Sequence, residues 1–284
     1  MRRLFWLALA ASGLATPAFA QPQGPANALP SADEVASRDR ITVAVGGAIV
    51  PDYDGSDDYR IIPAAAIQGK VSGFSFSTRG TYFYFDAIPH RTASKVELNF
   101  GPILGVRSNT RRNIEDDIVK LLPKRKRAIE AGAFAGVSLH DIIDPYDTLA
   151  FRLDVTHDIG KAHKSTIFSP NVEFSTPLSR TTYASANVGA EFVSNKFADY
   201  YFTITPADSL ASGLPVFNAG GGMKDWKAGV LVNQSITGDL LGGVSVFATG
   251  QYTRLVGDFR RSPIVSERGS ASQWLGALGL AYTW

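Results

Sequence analysis

The feature that most constrains this chain is the alternation in its final segment, Gln273-Trp-Leu-Gly-Ala-Leu-Gly-Leu-Ala-Tyr-Thr-Trp284. From Trp274 onward every second residue is large and apolar or a glycine: Trp274, Gly276, Leu278, Leu280, Tyr282, Trp284. The intervening residues are small after Leu275. Period two puts successive side chains on opposite faces of a strand, so the two faces of this segment meet different surroundings. At ~3.3 Å per residue and ~40° tilt, Trp274 and Trp284 stand about 25 Å apart along a membrane normal. That is the height of the apolar band of an outer-membrane barrel, with an aromatic side chain at each interface. A strand ending in this way resembles the closing strand that the outer-membrane insertion machinery recognises.

The same period recurs upstream. Val96, Leu98 and Phe100 oppose Lys95, Glu97 and Asn99, and Leu149, Phe151, Leu153 and Val155 oppose Arg152, Asp154 and Thr156. Ile129 to Leu139, Thr182 to Phe192 and Val244 to Tyr252 behave alike, with Glu130 and Glu191 on the polar side. A soluble barrel or sandwich turns its apolar face inward, whereas a transmembrane barrel turns it to lipid and lines its lumen with polar groups. Alternation alone does not choose between them.

The N-terminus tips the choice. Met1-Arg-Arg is a positive n-region, Leu4 to Ala15 an apolar h-region and Ala18-Phe19-Ala20 an A-x-A site. This pattern predicts a signal peptide over 1–20, cleaved after Ala20, and hence export to the bacterial outer membrane. Residues 21–39 are Pro-rich and without period, and read as a flexible periplasmic leader. After the signal no run of 18 apolar residues occurs, so a membrane-spanning form of 40–284 has to be a closed barrel. The absence of cysteine excludes disulfides, thiol catalysis and cysteine-based metal sites. A net charge of +2 and the lack of a recognition motif argue against nucleic acid.

Connection lengths carry the strand count. Short polar joints occur at 176–181 and 237–240, and long ones over about 108–127, 195–224 and 257–272. Bacterial barrels keep the periplasmic turns short, the outer loops long and the strand number even. Short and long joints fall on opposite sides if 71–88 is split into two short strands near Arg79-Gly80. The fold expected is an all-β, antiparallel, up-and-down transmembrane barrel of about 12 strands.

Gly46-Gly47-Ala48, followed by Pro51-Asp-Tyr-Asp-Gly-Ser-Asp-Asp-Tyr-Arg60 and Pro63, resembles the N-terminal signature of the MltA-interacting protein (MipA)/OmpV family. Four further stretches fit that family: Gly101-Pro102 with Arg111, Thr176 to Arg180, Tyr201 to Pro215, and Ser262-Pro-Ile-Val265. The resemblance spans essentially all of 40–284. It implies an outer-membrane barrel without catalytic residues, acting as a scaffold between a lytic murein transglycosylase and a murein synthase. A channel or permeability role is the alternative it leaves open, with an adhesin or a lipid-modifying enzyme behind.

Glu97, Glu130, Arg152, Asp154 and Glu191 share the polar strand face; they would line a pore or proton path, or more plainly fill a narrow barrel as an ion-paired network. Arg111, Arg112 and the run Lys124-Arg125-Lys126-Arg127 sit in a long outer loop, where guanidinium groups would meet lipopolysaccharide phosphates or simply solvent. Asp52, Asp54, Asp57 and Asp58 offer oxygens to a hard cation but miss the EF-hand spacing, so a solvated turn is the simpler reading. His140-Asp141 and His157-Asp158 are neighbours on strands, whose side chains point apart, and no G-x-S-x-G occurs. Gly220-Gly-Gly222 lacks phosphate-cradle spacing and reads as loop. No cofactor is expected, and the expected partners are outer-membrane lipid, lipopolysaccharide and periplasmic murein enzymes.

Overall fold

The computed structural model describes residues 38–284. The expected signal peptide and nearly all of the leader 21–39 lie outside the described residues. Among the described residues twelve strands form one closed barrel. They are β1 (Arg40–Pro51), β2 (Tyr59–Val71), β3 (Phe74–Arg79), β4 (Tyr82–Phe85), β5 (Val96–Arg107), β6 (Ala128–His140), β7 (Thr148–Asp158), β8 (Thr166–Pro177), β9 (Thr182–Val193), β10 (Gly222–Ser235), β11 (Gly243–Leu255) and β12 (Ser272–Thr283). Each is antiparallel to its neighbours in chain order, and β1 closes on β12. The split of 71–88 falls where the sequence placed it, with the β3–β4 turn at Gly80-Thr81. No helix of the described residues is long and apolar enough to cross a membrane.

The outward face is the apolar one. On β12, Trp274, Leu278, Leu280, Tyr282 and Trp284 are all exposed, while Gln273 and Ala281 are buried on the inner face. Two aromatic levels bound this band. At one, the Trp226, Tyr252 and Trp274 rings pack in series at 5.4 and 5.0 Å; at the other, Tyr282 and Trp284 meet at 4.6 Å. The seam where the barrel closes depends on two inward glycines. A Cβ on Gly46 would stand 2.2 Å from the Leu278 carbonyl oxygen, and one on Gly279 2.2 Å from that of Val45. Only glycine lets the two backbones approach so closely there.

Connections 72–73, 86–95, 141–147, 178–181 and 236–242 lie at the end where β1 begins and β12 ends, the periplasmic end in the orientation that connection length implies. Connections 52–58, 80–81, 108–127, 159–165, 194–221 and 256–271 lie at the other end.

The long loops are not open coil. They carry α1 (Asn195–Phe202), α2 (Pro206–Ser212), α3 (Gly257–Arg261), α4 (Pro263–Ser266) and a 3₁₀ turn, Val119–Leu121. The start of α2 is written locally: Thr205 and Asp208 form a reciprocal capping box, Pro206 takes the first helical position, and Gly213 ends the helix with φ 77°. These pieces pack into the apolar core of the molecule. Tyr53, Val119, Phe197, Phe202, Phe259 and Ile264 are among its members, joined by Ile167, Val193 and Leu255 from the strand ends. Phe202 meets Phe259 edge to face at 5.0 Å, and the Ser262 hydroxyl donates to the Phe202 carbonyl at 2.6 Å. The hydrophobic core therefore stoppers the outer end of the barrel and leaves the lumen below it to polar side chains.

Candidate functional site in the lumen

Directly beneath the cap lies a layer of buried charge. Glu130 is fully buried on β6. It accepts from Arg107 Nε at 2.8 Å, Tyr82 OH at 2.9 Å, Thr156 Oγ1 at 3.1 Å and His163 Nε2 at 3.1 Å. The Ser165 amide donates to His163 Nδ1 at 3.2 Å, which leaves the ring proton on Nε2 to be given to Glu130. Arg107 also reaches Glu191 at 3.4 Å, and Glu191 is held by Lys224 at 2.5 Å and Lys227 at 3.2 Å. Lys224 further contacts Asp225 at 3.1 Å and Asp54 of the cap at 3.3 Å.

A β-bulge makes this layer possible. The β9–β10 register shifts between Met223 and Asp225, so Lys224 and Asp225, adjacent in sequence, are both buried inside. Phe197 of α1 closes the layer from above, its ring 5.4 Å from the Arg107 guanidinium and 5.6 Å from Lys224 Nζ. Ionised groups this far from water persist only when they are mutually paired.

Lower in the lumen Arg152 Nε donates to Asp154 at 2.7 Å, Tyr84 OH donates to the same carboxylate at 2.9 Å, and Arg79 pairs with Glu173 across the bore at 2.7 Å. At the periplasmic mouth Glu97 lies 3.6 Å from His90 Nδ1 and 3.4 Å from His140 Nε2. Asp86 stands 3.6 Å from His90 and accepts from Asn99 at 2.8 Å.

All five lumen candidates thus lie inside, but in three separate groups: Glu130 with Glu191, Arg152 with Asp154, and Glu97 with two histidines. The sequence reading placed none of Arg107, Tyr82, Lys227, Lys224 or His163 in the lumen. Arg107 and Lys227 were legible, since Arg107 shares the parity of Glu97 on β5 and Lys227 opposes outward Trp226 on β10. Lys224 was not, because the bulge breaks parity, and His163 sits in the 159–165 loop, where no period applies.

The basic candidates divide. Arg112, Lys124, Lys126 and Arg127 are exposed at the outer end. Arg125 is half-buried, its guanidinium 5.0 Å from the Tyr200 ring. Arg111 departs from the expected outer surface: it is buried in the cap, where its guanidinium donates to the Tyr201 carbonyl. Burial, with Arg125 beside it, pulls the Arg111 pKa below the usual arginine value. A cavity of about 500 Å³ brings Arg125 together with Lys164 and Lys196 from two other outer loops.

The acidic loop is taken up by protein partners. Asp52 accepts from the Glu115 amide at 2.9 Å, and Asp54 faces Lys224. Among the described residues no group of three or more His, Asp or Glu side chains is placed to hold a metal ion. His157 faces outward and Asp158 inward, as strand neighbours must, while His140 turns to Glu97 and Asp141 to Lys95 at 3.0 Å. Of the glycine triplet, Gly220 and Gly221 are loop and Gly222 opens β10.

Residues 43–284 match the family model described as MltA-interacting protein MipA. The chain belongs to the MltA-interacting protein family. No curated protein matches this MipA-family chain. Solved structures similar to it at low identity include outer-membrane proteins. OpdK of Pseudomonas aeruginosa is 11% identical with a TM-score of 0.34, over 78% of this chain and 52% of that one. The chain thus spans about half the length of that relative. An outer-membrane channel of Pseudomonas putida F1 is 9% identical with a TM-score of 0.42, over 93% and 100% of the two chains. OmpT of Vibrio cholerae is 7% identical with a TM-score of 0.35, over 87% and 97%. At these scores the likenesses add nothing beyond the barrel itself. Family membership and the closed barrel with its lipid-facing band make this MipA-family chain an outer-membrane barrel protein.

Proposed function

We propose that this barrel is a non-enzymatic scaffold that holds periplasmic murein-remodelling enzymes at the outer membrane. The observation that carries the reading is the stoppered bore: an apolar cap rests on a layer of mutually ion-paired side chains, which suits a rigid anchor better than a conduit. The family description names interaction with MltA, a murein-cleaving enzyme by the resemblance above. The periplasmic turns suit such a docking role, since Ile143, Leu178 and Ile236 project from them exposed. Asp147 fixes the first of these turns by accepting from the amides of Ile142, Ile143 and Asp144 at 2.8, 2.9 and 3.0 Å. At the outer end Arg112, Lys124, Lys126 and Arg127, with Arg125, Lys164 and Lys196 at the cavity, would meet lipopolysaccharide phosphates.

The test is capture of a purified lytic transglycosylase by the full-length protein in detergent. Capture that weakens with Ile143→Asp and Leu178→Asp supports the scaffold. No capture under mild crosslinking overturns it. Steady ion-selective conductance in planar bilayers, altered by Glu191 or Arg152 substitution, would replace it with a channel.

A further inference from the structure

Ten strands run 11 to 14 residues, but β3 has 6 and β4 has 4. The short β3–β4 hairpin does not reach the top of its neighbour. The β2–β3 ladder covers only Gln68↔Ser77 to Val71↔Phe74, and two contacts of the Thr78 hydroxyl end it, accepting from the Ile67 amide at 3.0 Å and donating to the Ile67 carbonyl at 3.3 Å. Above that point β2 runs on from Ala66 up to Tyr59 paired with β1 alone. Through β1, the stretch Ile61 to Ile67 is in register with Gly276 to Tyr282 of β12, between the two aromatic levels. The wall therefore has a notch within the membrane band.

Backbone parity identifies what faces the notch. The two-residue turn Ser72-Gly73, with φ 52° and 90°, closes on Val71 and Phe74, so their amides and carbonyls point at each other. Ile67 shares that parity, and so do Ala65, Pro63 and Ile61. Pro63 thus stands where its missing N–H would have pointed into the gap. Proline is tolerated in a sheet at such an edge.

The lumen behind the notch is not charged. Val43, Val45 and Ile49 of β1 are exposed to lipid, so the alternate residues and their partners on β2 face inward. These are Ala44, Ala48, Ile62, Ala64 and Ala66, continued on β12 by Ala277. A small-residue apolar wall therefore stands beside the opening and faces the charged wall of β6 to β10 across the bore. At the hairpin tip, the lower lip of the notch, Arg79 is 41% exposed beside Glu173. On the lipid side an apolar groove of about 360 Å³, lined by Phe83, Leu104, Val106 and Ile129, runs to Gly80-Thr81 at that tip.

We propose that the notch is a lateral portal through which a single-chain anionic amphiphile enters the lumen from the outer leaflet. Its alkyl chain lies along the alanine wall, and its carboxylate or phosphate is held by Arg79. The cap shuts the axial route, the missing strand opens the lateral one, and the two unlike walls match a molecule with unlike ends. The open carbonyls of this edge require water from the lumen, since lipid offers them no donor.

The full chain in nanodiscs is tested with Ala64→Cys carrying an environment-sensitive fluorophore. Dodecanoate and a lysophosphatidate distinguish the two headgroup sources, and dodecanol controls for the tail. Saturable emission shifts are expected with at least one anion. Arg79→Gln is expected to weaken anion binding about tenfold while leaving dodecanol unchanged. Ala66→Phe, or Ala66→Leu if the former fails to fold by heat-modifiable mobility, is expected to abolish both. The portal is overturned by an absence of saturable shift, by anion affinity unmoved in Arg79→Gln, or by Ala65→Cys crosslinking to a second copy, which would make the edge a dimer seam.

Discussion

His163 Nε2 lies 3.1 Å from Glu130 Oε1, with both side chains wholly buried, so a loop residue at the outer end completes the coordination of a strand carboxylate inside the barrel. This contact joins the cap to the ionic layer, and its orientation is fixed by the Ser165 amide on the far ring nitrogen.

Glu130→Ala should be the most damaging lumen substitution. It strands Arg107 and His163 without their acceptor, and breaking a buried pair from one side costs about 3–5 kcal/mol. Thermal unfolding in detergent, followed by heat-modifiable mobility, should show a large fall. Glu130→Gln, which keeps an acceptor oxygen, should lose less.

The cap should act as the plug. Replacing 196–219 with a short Gly-Ser linker removes Phe197, Tyr201 and Phe202 from the core, along with the ring that covers Arg107 and Lys224. Planar-bilayer recording should then detect ion conductance well above that of the full chain. Phe259→Ala alone should destabilise the cap by about 3–5 kcal/mol, as large core truncations do. Faster proteolysis within 256–271 would register it.

The turn 141–147 should be acid-sensitive. Burial acts to raise the Asp147 pKa, but the amides of Ile142, Ile143 and Asp144 outweigh it and hold the carboxyl below its usual value. A depressed folded pKa means that the stabilisation is present above the unfolded value, about 3.9, and is lost as pH falls through the folded one. Protection of the Ile142 and Ile143 amides, taken as intrinsic over observed exchange rate, should therefore be high at neutral pH and fall below about pH 4. Asp147→Asn should show low protection at both.

Pro63→Val restores an N–H at the open edge of β2. An unpaired edge donor recruits another strand, so chemical crosslinking in detergent should show more dimer than the parent chain. An unchanged monomer would indicate that the edge is already covered.

Gly279→Ala should block closure of the barrel. The added Cβ would meet the Val45 carbonyl oxygen at 2.2 Å, backbone that cannot swing aside. Refolding into detergent should give little of the compact, heat-modifiable form.

Much of this molecule was legible in one dimension because alternation is a local property. Each Cβ of a strand points opposite to the next, so Leu278 and Trp284 on one side and Glu130 and Glu191 on the other sort themselves from sequence alone. The aromatic residues at both ends of the last strand, the alternating lengths of the connections and the break near Gly80 were enough to anticipate the membrane band and about twelve strands, and the connection lengths imply the orientation.

What only the tertiary structure decided depends on residues far apart in the chain. The cap exists because loops 52–58, 108–127, 194–221 and 256–271 converge over one bore, and convergence leaves no period in any of them. Arg111 is buried for that reason, and His163 finds Glu130 for that reason. The bulge at Lys224 is a consequence of register, which strand composition does not encode, and the notch beside Ala65 depends on where the short hairpin ends against β2: only a hairpin lengthened by the whole Tyr59–Ala66 stretch would have paired the edge and closed the wall.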